Sequence, residues 1–144
     1  MAFRSISRFI VVIFGFLFVL FFSWASAAGK LNLNDPLGTR VIYFEFDSAA
    51  LTPEAQRIVE AHAEYLTGNP GMAVVLEGHA DGRGPRGFNL DIGYARAYAV
   101  AKYFQMVGVA PDAIRSISYG EERPVAMEHD ESAWSLNRRV EILY

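Results

Sequence analysis

The sequence predicts a single α/β sandwich, with helices packed on one sheet. Two observations carry that expectation: apolar residues alternate in short stretches and recur at helical spacing in longer ones. Their order along the chain is β-α-β-α-β-(short α)-β, with crossovers long enough to join parallel strands. The 144 residues are enough for one domain with a real core and too few for two.

Each element has its own signature. Ile42, Phe44 and Phe46 alternate with Tyr43 and Glu45, a first strand with one buried face. Thr52-Pro53 is an N-cap followed by proline at the first helical position. Ala55, Ile58, Val59, His62, Tyr65 and Leu66 fall on one helical stripe, which Gly68-Asn69-Pro70 stops. Met72 to Leu76 reads as the second strand, running into a glycine-rich loop. Asn89 is expected to cap the second helix, with Ile92, Ala97, Val100, Phe104 and Val107 inside and Gly108 closing it. Ile114 to Tyr119 and Arg139 to Tyr144 complete the strands, separated by the turn Gly120-Glu121-Glu122-Arg123-Pro124 and a short helix near Ser132 to Leu136.

The first residues follow a different logic. Arg4 and Arg8 precede an apolar run from Phe9 to Phe22, and Ala25-Ser26-Ala27 supplies small residues, the order of a secretory signal cleaved after Ala27. The alternative is an uncleaved anchor, since Phe9 to Ala28 is about long enough to span a bilayer. Residues 28–40 read as a tether and 41–144 as the domain. Either reading places the domain in the periplasm: associated with the cell envelope and its outer membrane if cleaved, held at the inner membrane if not. The chain has no cysteine, so it carries neither disulfide nor lipidated cysteine. Cleavage removes two arginines and no acid, moving the formal charge from −3 to −5, which argues against nucleic acid as a partner.

The chemistry concentrates in Gly78-His79-Ala80-Asp81-Gly82-Arg83-Gly84, followed by Asn89 and Arg96. Asp81 leaves a strand end and Arg96 lies in the opening turns of a helix, and an open α/β sheet binds ligands where such elements meet. The pair suits a zwitterionic ligand, or else forms an ordinary internal salt bridge. Asp47, at the first strand's exit, joins the same rim if the strands are neighbours. Other chemistries lack parts. His79 and Asp81 make an H-x-D pair with no third metal ligand at a supporting spacing, and His79 is expected to be hydrogen-bonded at a strand end. His62 reads as a satisfied, partly buried histidine. Gly82, Gly84 and Gly87 lack the lysine and hydroxyl of a phosphate-binding loop. Glu77 and Asp81 would stand about 13 Å apart on an extended strand, wider than the roughly 5–10 Å of a glycosidase pair. No catalytic residue, metal or cofactor is expected.

Six motifs in order, covering Val41 to Tyr144, resemble the OmpA-like peptidoglycan-binding domain family. They are Tyr43-Phe44-x-Phe46-Asp47, Glu77-Gly78-His79-Ala80-Asp81-x-Arg83-Gly84, Asn89, Arg96-Ala97-x-Ala99-Val100, Ser118-Tyr119-Gly120-Glu121-x-x-Pro124 and Asn137-Arg138-Arg139-Val140. The resemblance is strongest to the lipoprotein-borne version. It implies helices on a four-stranded mixed sheet and non-catalytic binding of peptidoglycan through the diaminopimelate of the stem peptide. By position, Asp81 and Arg96 would hold the charged end of that residue, Phe46, Asp47, Arg83, Asn89 and Ile92 would line the pocket, and Asn137 and Arg138 would brace the fold. The alternative it allows is an adaptor docking on a Tol-type envelope complex, with weak wall binding. The chain departs from the family at Pro85, where a small hydroxyl residue is usual, at Gly87, usually acidic, and in lacking the anchoring cysteine.

Overall fold

The computed structural model describes residues 36–144; the signal or anchor segment and the first part of the tether lie outside the described residues. The elements are β1 (Val41–Tyr43), α1 (Pro53–Gly68), β2 (Val74–His79), α2 (Arg86–Val107), β3 (Ile114–Gly120), α3 (Glu131–Asn137) and β4 (Arg139–Leu143). They form the sandwich expected: α1 and α2 lie against a four-stranded mixed sheet of order β1-β4-β2-β3. Only β2 and β3 pair in parallel, and β4 runs antiparallel between β1 and β2. So β1 and β2 are not neighbours, although both lead towards the same end of the sheet.

Local chemistry sets the helices. Thr52 Oγ1 accepts from the Ala55 amide at 3.1 Å, capping α1 ahead of Pro53. The apolar stripe of α1 and the inner face of α2 close on Ile42, Val74, Leu76, Val140 and Ile142 from the sheet. Phe104 is wholly buried there, contributing roughly 1.5–3 kcal/mol by its removal from water. His62 is also wholly buried and satisfied at both ring nitrogens, by the Tyr144 hydroxyl at 2.8 Å and the Thr39 carbonyl at 2.9 Å.

Four details differ from the sequence reading. β1 ends early, because the chain leaves the ladder after the Phe44 amide bonds to the Arg138 carbonyl and then turns, with Asp47 at φ 50°. Phe46 is therefore 60% exposed rather than on the buried face. β2 continues to His79, and a register shift at Gly78/His79 passes the chain into the loop. α2 begins at Arg86, with Pro85 in the cap position and no side-chain cap. Asn89 is thus inside the first turn rather than capping it, and Arg96 is well inside the helix rather than in its opening turns. Residues 36–40 lie against the domain: Pro36–Gly38 forms a short 3-10 turn packed on α1, and the Arg40 carbonyl accepts from Ile142.

Candidate functional site

β1, β2 and β3 all direct their carboxyl ends to one edge of the sandwich, where α2 and β4 begin. A small cleft lies beyond those ends. Phe46, Asp47, Asp81, Arg83, Asn89, Ile92 and Arg96, every candidate from the sequence, line it together with Ala80 and Phe88. A larger groove of about 410 Å³ sits at the other end, walled by Leu66, Pro70, Met72 and Val109. Asp112 is its one ionisable side chain, so it offers a ligand volume but no converging charges. The cleft is the better site on chemistry.

The position of α2 over the cleft follows from two glycines. A Cβ built on Gly78 would lie 1.9 Å from the Gly93 carbonyl oxygen, so only glycine lets helix and strand touch backbone to backbone. One turn beyond Gly93, the Arg96 side chain reaches the cleft from beneath. It is 1% exposed, and three of its five donors are taken by backbone carbonyls: Nε by Ser48 at 2.9 Å, Nη1 by His79 at 2.9 Å and Nη2 by Glu45 at 3.2 Å. Burial, then the charge of Arg138, lowers its pKa to about 10, with Asp81 and Asp47 opposing, so it stays protonated at neutral pH.

Asp81 and Arg96 face the same cleft but are not partners. The Asp81 carboxylate is 5% exposed and already occupied. Oδ1 accepts from the Arg83 amide and Nε, both at 3.1 Å, and Oδ2 from Arg83 Nη2 at 2.8 Å and Arg138 Nη1 at 3.3 Å. Burial pushes this carboxyl up, but the bonds from Arg83 and Arg138 outweigh it and hold the group below the usual carboxylate range. The internal salt bridge considered for Asp81 exists, with different arginines. Asp47, by contrast, is exposed and makes no hydrogen bond or ion pair among the described residues. Asn89 Nδ2 reaches Glu121 Oε2 at 2.7 Å, tying the start of α2 to the β3–α3 loop, which Arg86 and Glu122 also clamp.

Three residues of α3 and its end escaped the sequence reading as parts of the site. Arg138, assigned as a brace, donates to Asp81, to the Phe44 carbonyl and to Glu131, so it braces the fold through the cleft's own acid. Trp134 stacks on Arg83, and Glu131 approaches Arg83 at 3.5 Å. A signal was present in Asn137-Arg138-Arg139, since adjacent arginines entering a buried strand need acids close by. Asn137 does hold the fold: its side chain accepts from Val125 and Ala126 and donates to the Ala126 carbonyl.

His79 corrects an expectation. Its ring is 1% exposed with neither nitrogen hydrogen-bonded among the described residues, and Glu141 stands 3.9 Å from Nε2. It lies on the sheet face away from the helices, where Glu141 is engaged by Arg139 at 2.7 Å instead. Burial, then Arg139, lowers its pKa to about 4, so it is neutral and packs against Tyr119 as an aromatic ring. Among the described residues no group of three His, Asp, Glu or Cys could hold a metal, and no helix is long and apolar enough to cross a membrane.

Known proteins are similar to this chain in sequence and fold. The peptidoglycan-associated lipoprotein of Pseudomonas aeruginosa is 49% identical over 120 residues, 81% of this chain and 71% of that protein. The protein of the same name from Pseudomonas putida is 51% identical over 114 residues, 77% of this chain and 68% of that one. In structure, the peptidoglycan-associated lipoprotein of Burkholderia pseudomallei superposes with a TM-score of 0.75 at 37% identity, over 79% of this chain and 98% of that one. Residues 43–138 match the OmpA family, from the Tyr43 that ends β1 to the Arg138 that holds Asp81. The chain belongs to the OmpA family.

Proposed function

We propose that the domain binds peptidoglycan without catalysis, taking the free end of the diaminopimelate side chain of a stem peptide into the cleft, and so links the cell envelope to its wall. The observation that carries this is the meeting of both signs of charge in one small cleft. Asp81 and Asp47 supply negative charge and Arg96 positive charge, with Arg83 lining the same space. The end of a diaminopimelate side chain carries an ammonium and a carboxylate on one carbon, and a site of that composition matches both. Aromatic and apolar walls from Phe46, Phe88 and Ile92 suit the methylene chain behind them. The names of the Pseudomonas and Burkholderia relatives support the same reading.

The direction of the chain supports a linking role. β1 enters the sheet at the end opposite the cleft and runs towards it, so residues 36–40 lead away from the ligand. A tether leaving there would let the cleft face the wall while the N-terminal segment reaches a membrane. The test is retention of the protein on purified sacculi, with and without excess free meso-diaminopimelate. Retention abolished by the free amino acid is expected. Retention that survives it would move binding to another surface, and no retention would leave the fold serving an envelope protein, as in a Tol-type complex.

A further inference from the structure

The cleft is closed in this structure by one of its own residues. Its cavity volume is about 20 Å³, room for about one water molecule and not for an ammonium on a carbon chain. Arg83, one of its lining residues, occupies the Asp81 carboxylate. Its Nε and Nη2 form a two-point fork on Asp81, at 3.1 and 2.8 Å, the geometry that makes arginine–carboxylate pairs strong. Its guanidinium carbon is 4.3 Å from the centre of the Phe46 ring and 4.1 Å from that of Trp134, so the cation sits between two aromatic rings.

We propose that Arg83 stands in for the cation of the ligand, and that the ligand enters by exchange: Arg83 swings out of the Phe46–Trp134 slot and the ligand's ammonium takes its place on Asp81. This rests on the reading of the cleft as a diaminopimelate site. Asp81 has no spare capacity for a third cation, since each oxygen already accepts two donors. Of its two arginines only Arg83 is free to leave. Its side chain is 32% exposed against 4% for Arg138, which is pinned by Phe44 and Glu131 as well. Arg83 also stands between two glycines. Gly84 takes φ +97°, and nothing approaches the Cβ position of Gly82 closer than Glu121 at 4.0 Å, so the loop has freedom on both sides. Glu131, 3.5 Å away and exposed, is a second acid to which the displaced guanidinium can move.

The exchange makes Arg83 and Trp134 determinants of specificity. A neutral side chain cannot compensate Asp81 when Arg83 departs, so only a ligand that brings its own cation opens the cleft. A site open in about one molecule in ten to one in a hundred binds about ten- to a hundredfold more weakly than the same site held open. Removing Arg83 should therefore strengthen binding, the opposite of what loss of a contact residue does.

The experiment uses the full chain with Trp24→Phe, which leaves Trp134 as its single tryptophan. Free meso-diaminopimelate is titrated by calorimetry and by tryptophan emission into this protein and into its Arg83→Ala and Arg83→Gln variants, the second retaining the aliphatic stem should the first unfold. The expected result is an emission change with the same midpoint as the heat, and at least about tenfold tighter binding by the variants, whose emission starts near the ligand-bound value. Binding to the parent without an emission change, with equal or weaker affinity in the variants, would make Arg83 a fixed wall and overturn the exchange while leaving the cleft as the site. Binding by neither parent nor variants would overturn both. Binding by the variants alone would support both, with the closed form strongly favoured.

Discussion

Arg138 Nη1 meets Asp81 Oδ2 at 3.3 Å, and neither side chain is more than 5% exposed. The pair joins the end of α3 to the glycine loop and ties the stability of the domain to the charge state of its cleft. Arg138→Ala would leave Asp81 buried with one exposed partner and the Phe44 carbonyl without its donor. A loss of about 3–5 kcal/mol is expected, since one half of a buried ion pair is then uncompensated. Arg138→Lys should recover little of it, because a point charge cannot serve Asp81, Phe44 and Glu131 together. Urea unfolding of the two variants checks this, and wild-type midpoints would show that Arg83 alone satisfies Asp81.

The Gly78–Gly93 contact admits no side chain. A Cβ at Gly78 would meet the Gly93 carbonyl carbon at 2.6 Å and its oxygen at 1.9 Å, both backbone atoms that cannot turn aside. Gly78→Ala should therefore push α2 off β2 and cost at least about 2–3 kcal/mol, at the upper end of overpacking effects. Because Arg96 is carried on the same helix, ligand affinity should fall with stability. A variant of wild-type stability would mean that the helix slides along the strand freely.

How far the sequence carried the reading can be judged from these same residues. Among the described residues, periodicity and turn signals located the three α-helices and four strands but not the 3-10 turns, because the core-facing positions are apolar and the caps and stops, Thr52-Pro53, Gly68 and Gly108, are local signals. Asp81, Arg96 and Asp47 came from their own charges and positions, the other cleft residues from the family resemblance, and the structure gathers all of them in one place. What spacing could not reveal is which arginine takes which acid. Arg83 lies two residues from Asp81 and wins it through local bonds, while Arg96 is drawn to carbonyls brought in by the turn after β1. That turn defeated the strand reading too: Phe46 keeps the alternation in sequence, yet the backbone has left the ladder before reaching it. Trp134 and Arg138 arrive from some fifty residues downstream, a distance over which no local pattern operates.

His79 gives the domain an acid limit. Its folded pKa is about 4, lowered first by burial and then by Arg139, against about 6.5 in the unfolded chain. Between those values the unfolded state binds a proton that the folded state refuses. The contribution is complete above about pH 6.5 and is lost as pH falls towards 4, amounting to on the order of 2–3 kcal/mol. His62, also lowered chiefly by burial, acts in the same direction. Urea midpoints at pH 7, 5.5 and 4.5 should fall more steeply for the wild type than for His79→Phe, which keeps an aromatic ring against Tyr119. Parallel slopes would place the titration elsewhere.

Asp47 separates binding from folding more cleanly than Asp81. Its exposed carboxylate has no hydrogen bond or ion pair to lose among the described residues, only a longer-range attraction to Arg96, and asparagine tolerates its φ of 50° at least as well as aspartate. Asp47→Asn should thus unfold within about 0.5 kcal/mol of the wild type. Diaminopimelate binding should weaken by about 1–2 kcal/mol, roughly five- to thirtyfold, if the carboxylate meets the incoming ammonium. Calorimetry beside urea unfolding decides it, and unchanged affinity would confine cation recognition to Asp81.

Stem peptides carrying diaminopimelate should bind more tightly than those carrying lysine. Both offer an ammonium to the acids of the cleft, but lysine lacks the second carboxylate, and Arg96 then has no anion to face. Its three bonds to carbonyls satisfy part of the guanidinium, whose charge, buried at 1% exposure, is then balanced only at a distance by Asp81 and Asp47. Water recovers that interaction poorly in a cleft so small, so the shortfall should be about 1–3 kcal/mol, roughly five- to 150-fold in affinity. Amidating the same carboxylate should cost less, since the amide oxygen still accepts one hydrogen bond from the guanidinium. Arg96→Ala is the wrong probe, because it also strips the carbonyls of Ser48, His79 and Glu45 of their donor; Arg96→Lys keeps the charge while losing the fork. In that variant the preference for diaminopimelate should shrink without vanishing. Calorimetric titration of the three matched peptides tests the order, and equal affinities would mean that Arg96 holds the loops together and does not read the ligand.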